Sequence, residues 1–469
     1  VTVPSNPVTN IQSLIETSHS GSKEALICAA TSEKWSGSDL LAASDKLARR
    51  LCARPEFCDA DGDERIVAIA LPRGPGLVVA VLAVLKAGIA YVPIDPDHPT
   101  SRRNMILEAS GASLVLTAQT FDAPCPFFYP AMLNDRAPEA DVPDADMGRL
   151  AYIIFTSGTT GVPKGVPVTL EALSNLIGSA IETIGLGKGD VFLAITTIAF
   201  DIAALEILGP LAAGATVLLA EKTSGGQPDR LVDLIRKHSV THLQAVPATW
   251  RLLVDHGFSA PDLVALSGGE ALPVGLGRQL LSKVGALWNM YGPTETTIWS
   301  AGLHVSEGHL QEGCTPIGGP TSLRIVDQYG TCLPKGVPGE LAIGGVGLSP
   351  GYWGQGELTK ERFFKLSADL FYRTGDRCRM EADGTISFLG RIDHQINLNG
   401  YRIEPGEIEA ALSGGPGISE ALVTVRDDRL VAFFRTDGDP PADRTLQRTL
   451  HGSLPAHMIP TVFCMLDAF

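Results

Sequence analysis

The sequence predicts an α/β protein. It reads as a large N-terminal domain of parallel-rich sheets flanked by helices plus a β-rich subdomain, followed by a small α+β C-terminal domain. Three observations lead there. Between residues 65 and 300, short β-rich runs alternate with helix-period stretches, the pattern of βαβ units. Beyond residue 314, Gly and Pro become dense and hairpin signals appear in "VDQYG" and "EADGTI". After "GRIDHQ" a fresh α+β pattern begins, which sets a boundary near residue 392 and divides the chain into 1–392 and 393–469.

The elements follow in order. "RIVAIAL", "GPGLVVAVLAVLKAG" and "AYVPID" form a first strand, helix and strand, and "LAYIIFT" and "LEALSNLIGSAIETI" continue as strand and helix. "VFLAITTIAF", "DIAALEILGPLAAG" and "ATVLLA" repeat the unit, then "DRLVDLIRKHS", "VTHLQAVP", "TWRLLVDHG", "LVALSGGE", "GRQLLSKV" and "ALWNMYG" extend it. In the C-terminal part "YRIEPGEIEAAL" is expected as a helix, "ALVTVRDDRLVAFF" as a hairpin turning at Asp427-Asp428, and "RTLQRTLHGSL" as a helix. Parallel sheets of this kind bind ligands at the carboxyl ends of their strands.

Bulk properties exclude several classes. At 469 residues the chain needs more than one core. It is 45% hydrophobic and 19% charged, with no apolar run long enough to cross a bilayer. "VTVPSNPVTNIQ" has neither the basic start nor the apolar core of a signal peptide, so a cytoplasmic setting is expected. The formal charge of −15, from 37 basic and 52 acidic residues, disfavours nucleic acid as a partner. Eight cysteines (Cys28, Cys52, Cys58, Cys125, Cys314, Cys332, Cys378 and Cys464) contain no CxxC pair. They read as isolated reduced thiols rather than as a zinc site or a disulfide framework. His242 and His394 read as structural or solvated side chains, not ligands.

One loop carries chemistry. "FTSGTTGVPKG", Phe155 to Gly165, combines hydroxyls, glycines and a lysine after the strand "AYIIF", a composition suited to phosphate. It is not a Walker loop: Pro163 stands before Lys164 where a glycine is needed, and Gly165 follows where a Ser or Thr must hold magnesium. No GxGxxG follows the strand, so a dinucleotide fingerprint fails as well.

The loop resembles the phosphate-loop signature of the adenylate-forming superfamily, specifically the adenylation domains of nonribosomal peptide synthetases. The resemblance continues in order through "LKAGIAYVPID", "AFDIAALE", "NMYGPTE", "GELAIGGVGLSPGYW", "YRTGD", "GRIDHQINLNGYRIEPGEIE" and "LPAHMIP". It implies that ATP and a carboxylic acid give an acyl-adenylate and pyrophosphate, and that the acyl group then passes to a thiol. Two anions react, so cations and oriented donors are required. By the match, Thr156, Ser157, Gly158, Thr159, Thr160 and Lys164 meet the pyrophosphate end. Thr294 bonds the α-phosphate, and Glu295 holds Mg²⁺, a hard ion suited to one carboxylate plus phosphate oxygens. Tyr291 stacks on adenine, with Asn289, Gly292 and the turn Gly268, Gly269, Glu270 around it. Asp376 takes the ribose hydroxyls, with Phe388 and Arg391 close by. Asp393 matches the hinge, and Gly400 the glycine at the phosphopantetheine channel. "NLNG" stands where a lysine and an arginine are usual, so Asn397 and Asn399 depart from the pattern.

Read without the resemblance, Thr294 is a candidate helix N-cap and so is Asp201. By the resemblance, Asp201 pairs with the α-ammonium of an amino acid. The remaining pocket positions are Ile202, Leu205, Gln244, Leu266, Gly268, Met290, Ile298 and Trp299. Bulky side chains, Trp299 above all, leave room for a very small substrate, and the set is similar to the signature associated with glycine. Alanine is the competitor, since one methyl is worth only about 1–3 kcal/mol. The family's final lysine falls beyond Phe469, so no lysine here is assigned to it; this sequence alone is expected to bind ATP and amino acid but to adenylate poorly. A carrier protein domain is the expected partner, bringing phosphopantetheine, and a small activating partner protein is left open. The alternatives are an acyl- or aryl-CoA ligase of the same fold and a catalytically silent binding module.

Overall fold

The computed structural model describes residues 8–19, 24–58, 64–128, 140–144, 146–158, 163–221, 226–310, 317, 322–415, 417–436, 440–467 and 469. Among these, two large sheets dominate. One has six parallel strands at its centre, in the order Val284–Tyr291, Ala260–Ser267, His242–Ala245, Val191–Ala194, Thr216–Leu219, Leu26–Cys28, with Ala301–His304 and Lys34–Trp35 antiparallel at its edges. The other runs Phe127–Phe128, Leu114–Thr117, Ile66–Ala70, Ala90–Pro93, Leu150–Thr156, closed by the antiparallel strand Lys164–Thr169.

The two sheets share one apolar cluster, which takes in Val67, Tyr91 and Ile154 from one sheet and Phe192, Leu219 and Met290 from the other. Helices Pro75–Lys86 and Ile202–Ala213 lie within it. Leu77 to Leu85 and Ala203 to Ala212 are buried without a break, so these helices are buried on every face rather than along one stripe, with Glu206 the one charge in the second run. The opposite face of the eight-stranded sheet is covered by the amphipathic helices Pro228–Lys237, Pro247–Asp255 and Val274–Leu281.

The Gly/Pro-rich region forms an antiparallel sheet of Leu323–Val326, Gly339–Gly344, Asp369–Met380 and Phe363–Leu366, with Ile386–Arg391 paired to the long strand. Next come a hairpin of Ile396–Leu398 and Tyr401–Ile403, and a three-stranded sheet of Ile418–Arg426, Arg429–Thr436 and Val462–Met465. Residues Ile403 to Ile459 have their own apolar cluster, built on Ile408, Leu412, Ala432, Phe434 and Leu450. The turn at Asp427-Asp428 forms as expected, with φ of 49° and 55° in the type I′ range.

One expected element differs. "YRIEPGEIEAAL" is not helical throughout: Tyr401–Ile403 is a strand and the helix is Pro405–Ser413. Proline supplies the first helical position but pushes the residue before it out of the helical region, so Glu404 is extended. Among the described residues no helix is long and apolar enough to cross a membrane.

Candidate active site

A cavity of about 200 Å³ opens where strands Ala90–Pro93, Leu150–Thr156 and Val284–Tyr291 end, and residues 395–402 and 455–458 close its far side. The phosphate-type loop sits on one wall. Thr156 and Ser157 line the cavity, while Thr159 and Thr160 lie outside the described residues. Thr156 faces Lys164 across the antiparallel pair. Lys164 is buried outside the cavity lining; its ammonium is 3.2 Å from Glu404 and 5.6 Å from the ring centre of Tyr352. Burial and the charge of Arg402 lower its pKa, against the pull of Glu295 and Glu404.

Thr294 and Glu295 open the short 3-10 helix Thr294–Thr296, whose N-cap is Pro293, so Thr294 is not the cap its position suggested. Glu295 is fully buried. Its Oε1 accepts from the Tyr352 hydroxyl at 2.7 Å and its Oε2 from Arg402 at 2.7 Å. Burial alone would raise this carboxyl; the charges of Arg402 and Lys164 outweigh it and hold the pKa at about 2. The helix is followed by Thr297 and Ile298, two β-branched residues at φ 61° and 59°. Such geometry is strained, and here it turns Trp299 back over the strand ends.

On the opposite wall Asp376 accepts from the Tyr291 hydroxyl and from Arg391 at 2.8 Å. Burial raises its pKa while Arg391 opposes the rise. Arg391 also grips Asp393 through two bonds of 2.8 and 2.6 Å. Phe388, Asn289, Gly292, Gly269 and Glu270 line the same space, and Gly400 donates its N–H to Glu270 at 2.5 Å. The departure at Asn399 has a physical reason. Asn399-Gly400 is a two-residue turn with φ of 54° and 81°, a conformation Asn tolerates.

Of the substrate positions, Asp201, Ile202, Met290, Ile298 and Trp299 line the cavity. Leu205, Gln244, Leu266 and Gly268 do not. They are packed away from it, and Gly268, just past the end of its strand, is covered by the Trp299 indole. Asp201 begins the helix Ile202–Ala213 but its side chain makes no capping bond. It is 8% exposed and, among the described residues, has no ion pair. Burial pushes its pKa up to about 6 against a hydrogen bond with Thr294.

Several residues that shape the site escaped the sequence reading. Glu206 accepts from the N–H groups of Ile195 and Thr196, both at 2.8 Å, and so anchors the loop leading into Asp201. Burial lifts Glu206 to about 7 even beside Arg73, which itself donates to the Ala194 and Ala220 carbonyls at 2.6 Å. Its place at the end of "AFDIAALE" was a signal, a charge inside an otherwise apolar helix. Tyr352, Arg402 and Glu404 were quoted only as parts of motifs. His242 is structural as expected, stacked on Phe192 and bonded at 3.3 Å to the Ile184 carbonyl.

The fold and this cavity define an adenylate-forming ligase. Residues 16–353 match the AMP-binding enzyme family, and the chain belongs to it. It is 41% identical over 434 residues to a dimodular nonribosomal peptide synthase of Bacillus subtilis, an alignment covering 87% of this chain and 18% of that protein. A four-domain nonribosomal peptide synthetase solved with AMP and glycine is 33% identical at a TM-score of 0.72, covering 98% of this chain and 36% of that one. An artificially fused adenylation–PCP di-domain from Klebsiella oxytoca is 26% identical at a TM-score of 0.85, covering 98% of this chain and 86% of its own. The chain therefore spans under a fifth of the dimodular synthase it matches.

Proposed function

We propose that this chain activates an amino acid, glycine, as its adenylate and then passes the glycyl group to the phosphopantetheine thiol of a carrier protein. The observation that carries the reading is Asp201, a carboxyl at the cavity wall that burial pushes up to about 6 and that, among the described residues, has no ion-pair partner. A fatty or aryl acid would leave that charge without a partner; the α-ammonium of an amino acid supplies one. The Trp299 indole over Gly268 supports the smallest amino acid, as does the relative solved with glycine.

In the reaction a glycine carboxylate oxygen attacks the α-phosphorus of ATP, the new C–O–P linkage forms, and the bond to the bridging oxygen breaks so that pyrophosphate leaves. Thr156, Ser157 and Lys164 take the pyrophosphate end and Thr294 the α-phosphate. Tyr291 stacks on adenine while Asp376 takes the ribose. Glu295 would suit Mg²⁺, because it is a carboxylate held ionised next to Thr294 of the cavity wall. Bound there with phosphate oxygens, the ion would neutralise charge on the polyphosphate. The carrier partner is supported by relatives that are synthetase modules and by the fused adenylation–PCP neighbour. Residues 393–469 are read in the same proposal as a body turning about Asp393, consistent with the separate apolar cluster from Ile403 to Ile459.

The test is amino-acid-dependent pyrophosphate exchange across a full amino-acid panel, on this chain and on a form carrying the downstream lysine that the resemblance calls for. Exchange led by glycine is expected. Silence across the panel with ATP demonstrably bound would overturn the amino-acid reading.

A further inference from the structure

The strand that carries Asp376 falls out of step with both of its neighbours at that residue. Against Gly339–Gly344, Glu340 pairs with Arg377 and Ala342 with Arg373, so Leu341 alone stands opposite Thr374, Gly375 and Asp376. Against Ile386–Arg391, Asp376 pairs with Arg391 and Cys378 with Phe388, so Arg377 alone stands opposite Leu389 and Gly390. A bulge of this kind re-aims a side chain and takes backbone groups out of the ladder. Here it turns Asp376 into the cavity. The freed groups find other partners. The Thr374 carbonyl accepts from the Arg391 guanidinium at 2.9 Å, and the Gly375 carbonyl accepts from the Ile392 N–H at 2.8 Å. The Asp376 N–H donates to the Thr374 hydroxyl at 3.0 Å, and that hydroxyl donates to the Leu341 carbonyl at 2.8 Å.

The Gly375 N–H goes to Oε1 of Glu340 at 3.0 Å, while Oε2 accepts from the Arg373 guanidinium at 2.6 Å. Gly375 stands at φ 74°, and a Cβ there would come within 2.7 Å of Arg391 Nη2 and 2.8 Å of Asp393 Oδ2. The bulge is therefore gripped by Glu340 through its amide and crowded by the Arg391–Asp393 pair, with little room to shift. Glu340 is largely buried and does not line the cavity; it reaches the site only through Gly375. We infer that Glu340 is a positioning residue for the nucleotide: steadied by Arg373, it fixes the Gly375 amide and so sets where the Asp376 carboxylate meets the ribose hydroxyls. The inference rests on the ribose reading of Asp376. Without that acceptor a buried N–H is left unpaired, a costly state. The bulge relieves it by shifting or by admitting water, and either loosens Asp376.

The experiment is calorimetric binding of ATP and of 3′-deoxy-ATP, each with Mg²⁺. Wild type should prefer ATP at least roughly tenfold, the worth of a hydrogen bond to a charged group. Glu340→Ala should lower that preference at least fivefold, by weakening ATP while 3′-deoxy-ATP stays within twofold. Glu340→Gln keeps an oxygen for the Gly375 N–H and should stay within twofold of the wild-type preference. Glu340→Asp, one methylene shorter, should lower it at least threefold, and it carries the test if circular dichroism shows Glu340→Ala unfolded. In an Asp376→Ala background, Glu340→Ala should change ATP affinity less than twofold, because the residue it acts through is gone. An unchanged preference in the folded variants would overturn the inference, as would equal weakening of both nucleotides or a loss that persists without Asp376. A wild type that binds both nucleotides equally, or neither, removes the ribose reading and this inference with it. Pyrophosphate exchange with amino acid, measured separately, then shows whether the adenylation reading falls as well.

Discussion

The indole of Trp299 lies against the backbone of Gly268: a Cβ built on that glycine would stand 2.8 Å from Cζ3 and closer still to Cη2. The glycine is thus what lets the ring lie there, in the space that the proposed function assigns to a substrate side chain. Trp299→Ala should open that space and admit alanine or serine to pyrophosphate exchange. It should also lower stability by about 3–5 kcal/mol, because a large buried ring is removed. If glycine remains the sole substrate of a folded Trp299→Ala variant, the pocket assignment is wrong.

Asp201 links stability and recognition with opposite signs. Its folded pKa is about 6 against 3.8 for a free aspartate, so between those values the folded state holds more protons than the unfolded one. Stability therefore falls as pH rises through that window, a cost of about 3 kcal/mol above it. Asp201→Asn should melt higher than wild type at pH 7 and equally near pH 3. Its amino-acid-dependent exchange should drop on the order of 100-fold, since the ammonium loses its counter-charge. In the wild type, the KM for amino acid should rise as pH falls below about 6. A variant that loses stability and activity together would make Asp201 a structural residue.

How much of this was legible depends on how local each signal is. The buried strands and the helix Ile202–Ala213 are continuous apolar runs, and a residue's neighbours suffice to read them. The hairpin at Asn399-Gly400 had its signal too, an Asn-Gly pair between short alternating runs, but the helix pattern after Pro405 was extended over it. The Arg402–Glu295 and Lys164–Glu404 pairs join residues 107 and 240 apart, and nothing local marks them. Trp299 reaches Gly268 only because Thr297 and Ile298 take a left-handed backbone that their β-branched side chains disfavour. Propensity could not have foreseen that turn.

His457 makes the C-terminal contact acid-sensitive. It stacks on Tyr401 at 3.8 Å and lines the cavity. Burial first, then the charges of His98 and Arg102, depress its pKa to about 3, with Asp95 opposing. The unfolded chain protonates this imidazole near 6.5, so stability is lost as pH falls through 6.5 toward 3. The loss should reach about 2 kcal/mol at pH 5 relative to pH 7. His457→Phe keeps a ring against Tyr401 and should flatten that slope in urea titrations at the two pH values. An unchanged slope would mean that other groups carry the acid sensitivity.

Gly400 separates the two halves of the proposed reaction. Its φ of 81° suits a residue without a side chain, and a Cβ there would overlap Val246 Cγ1 while its N–H binds Glu270. Gly400→Ala should therefore unseat the hairpin from the core at a cost of about 1–2 kcal/mol for the left-handed backbone, before the clash is added. The residues assigned to ATP and amino acid lie in other elements, so pyrophosphate exchange should stay within about twofold of wild type. Transfer to the carrier thiol needs the channel that Gly400 is assigned to line and should fall at least roughly tenfold, the rate equivalent of that cost. Both rates are measured on the same preparation, exchange with labelled pyrophosphate and transfer by loading of the carrier. Equal losses in the two would place Gly400 in the general stability of the chain rather than in the transfer step.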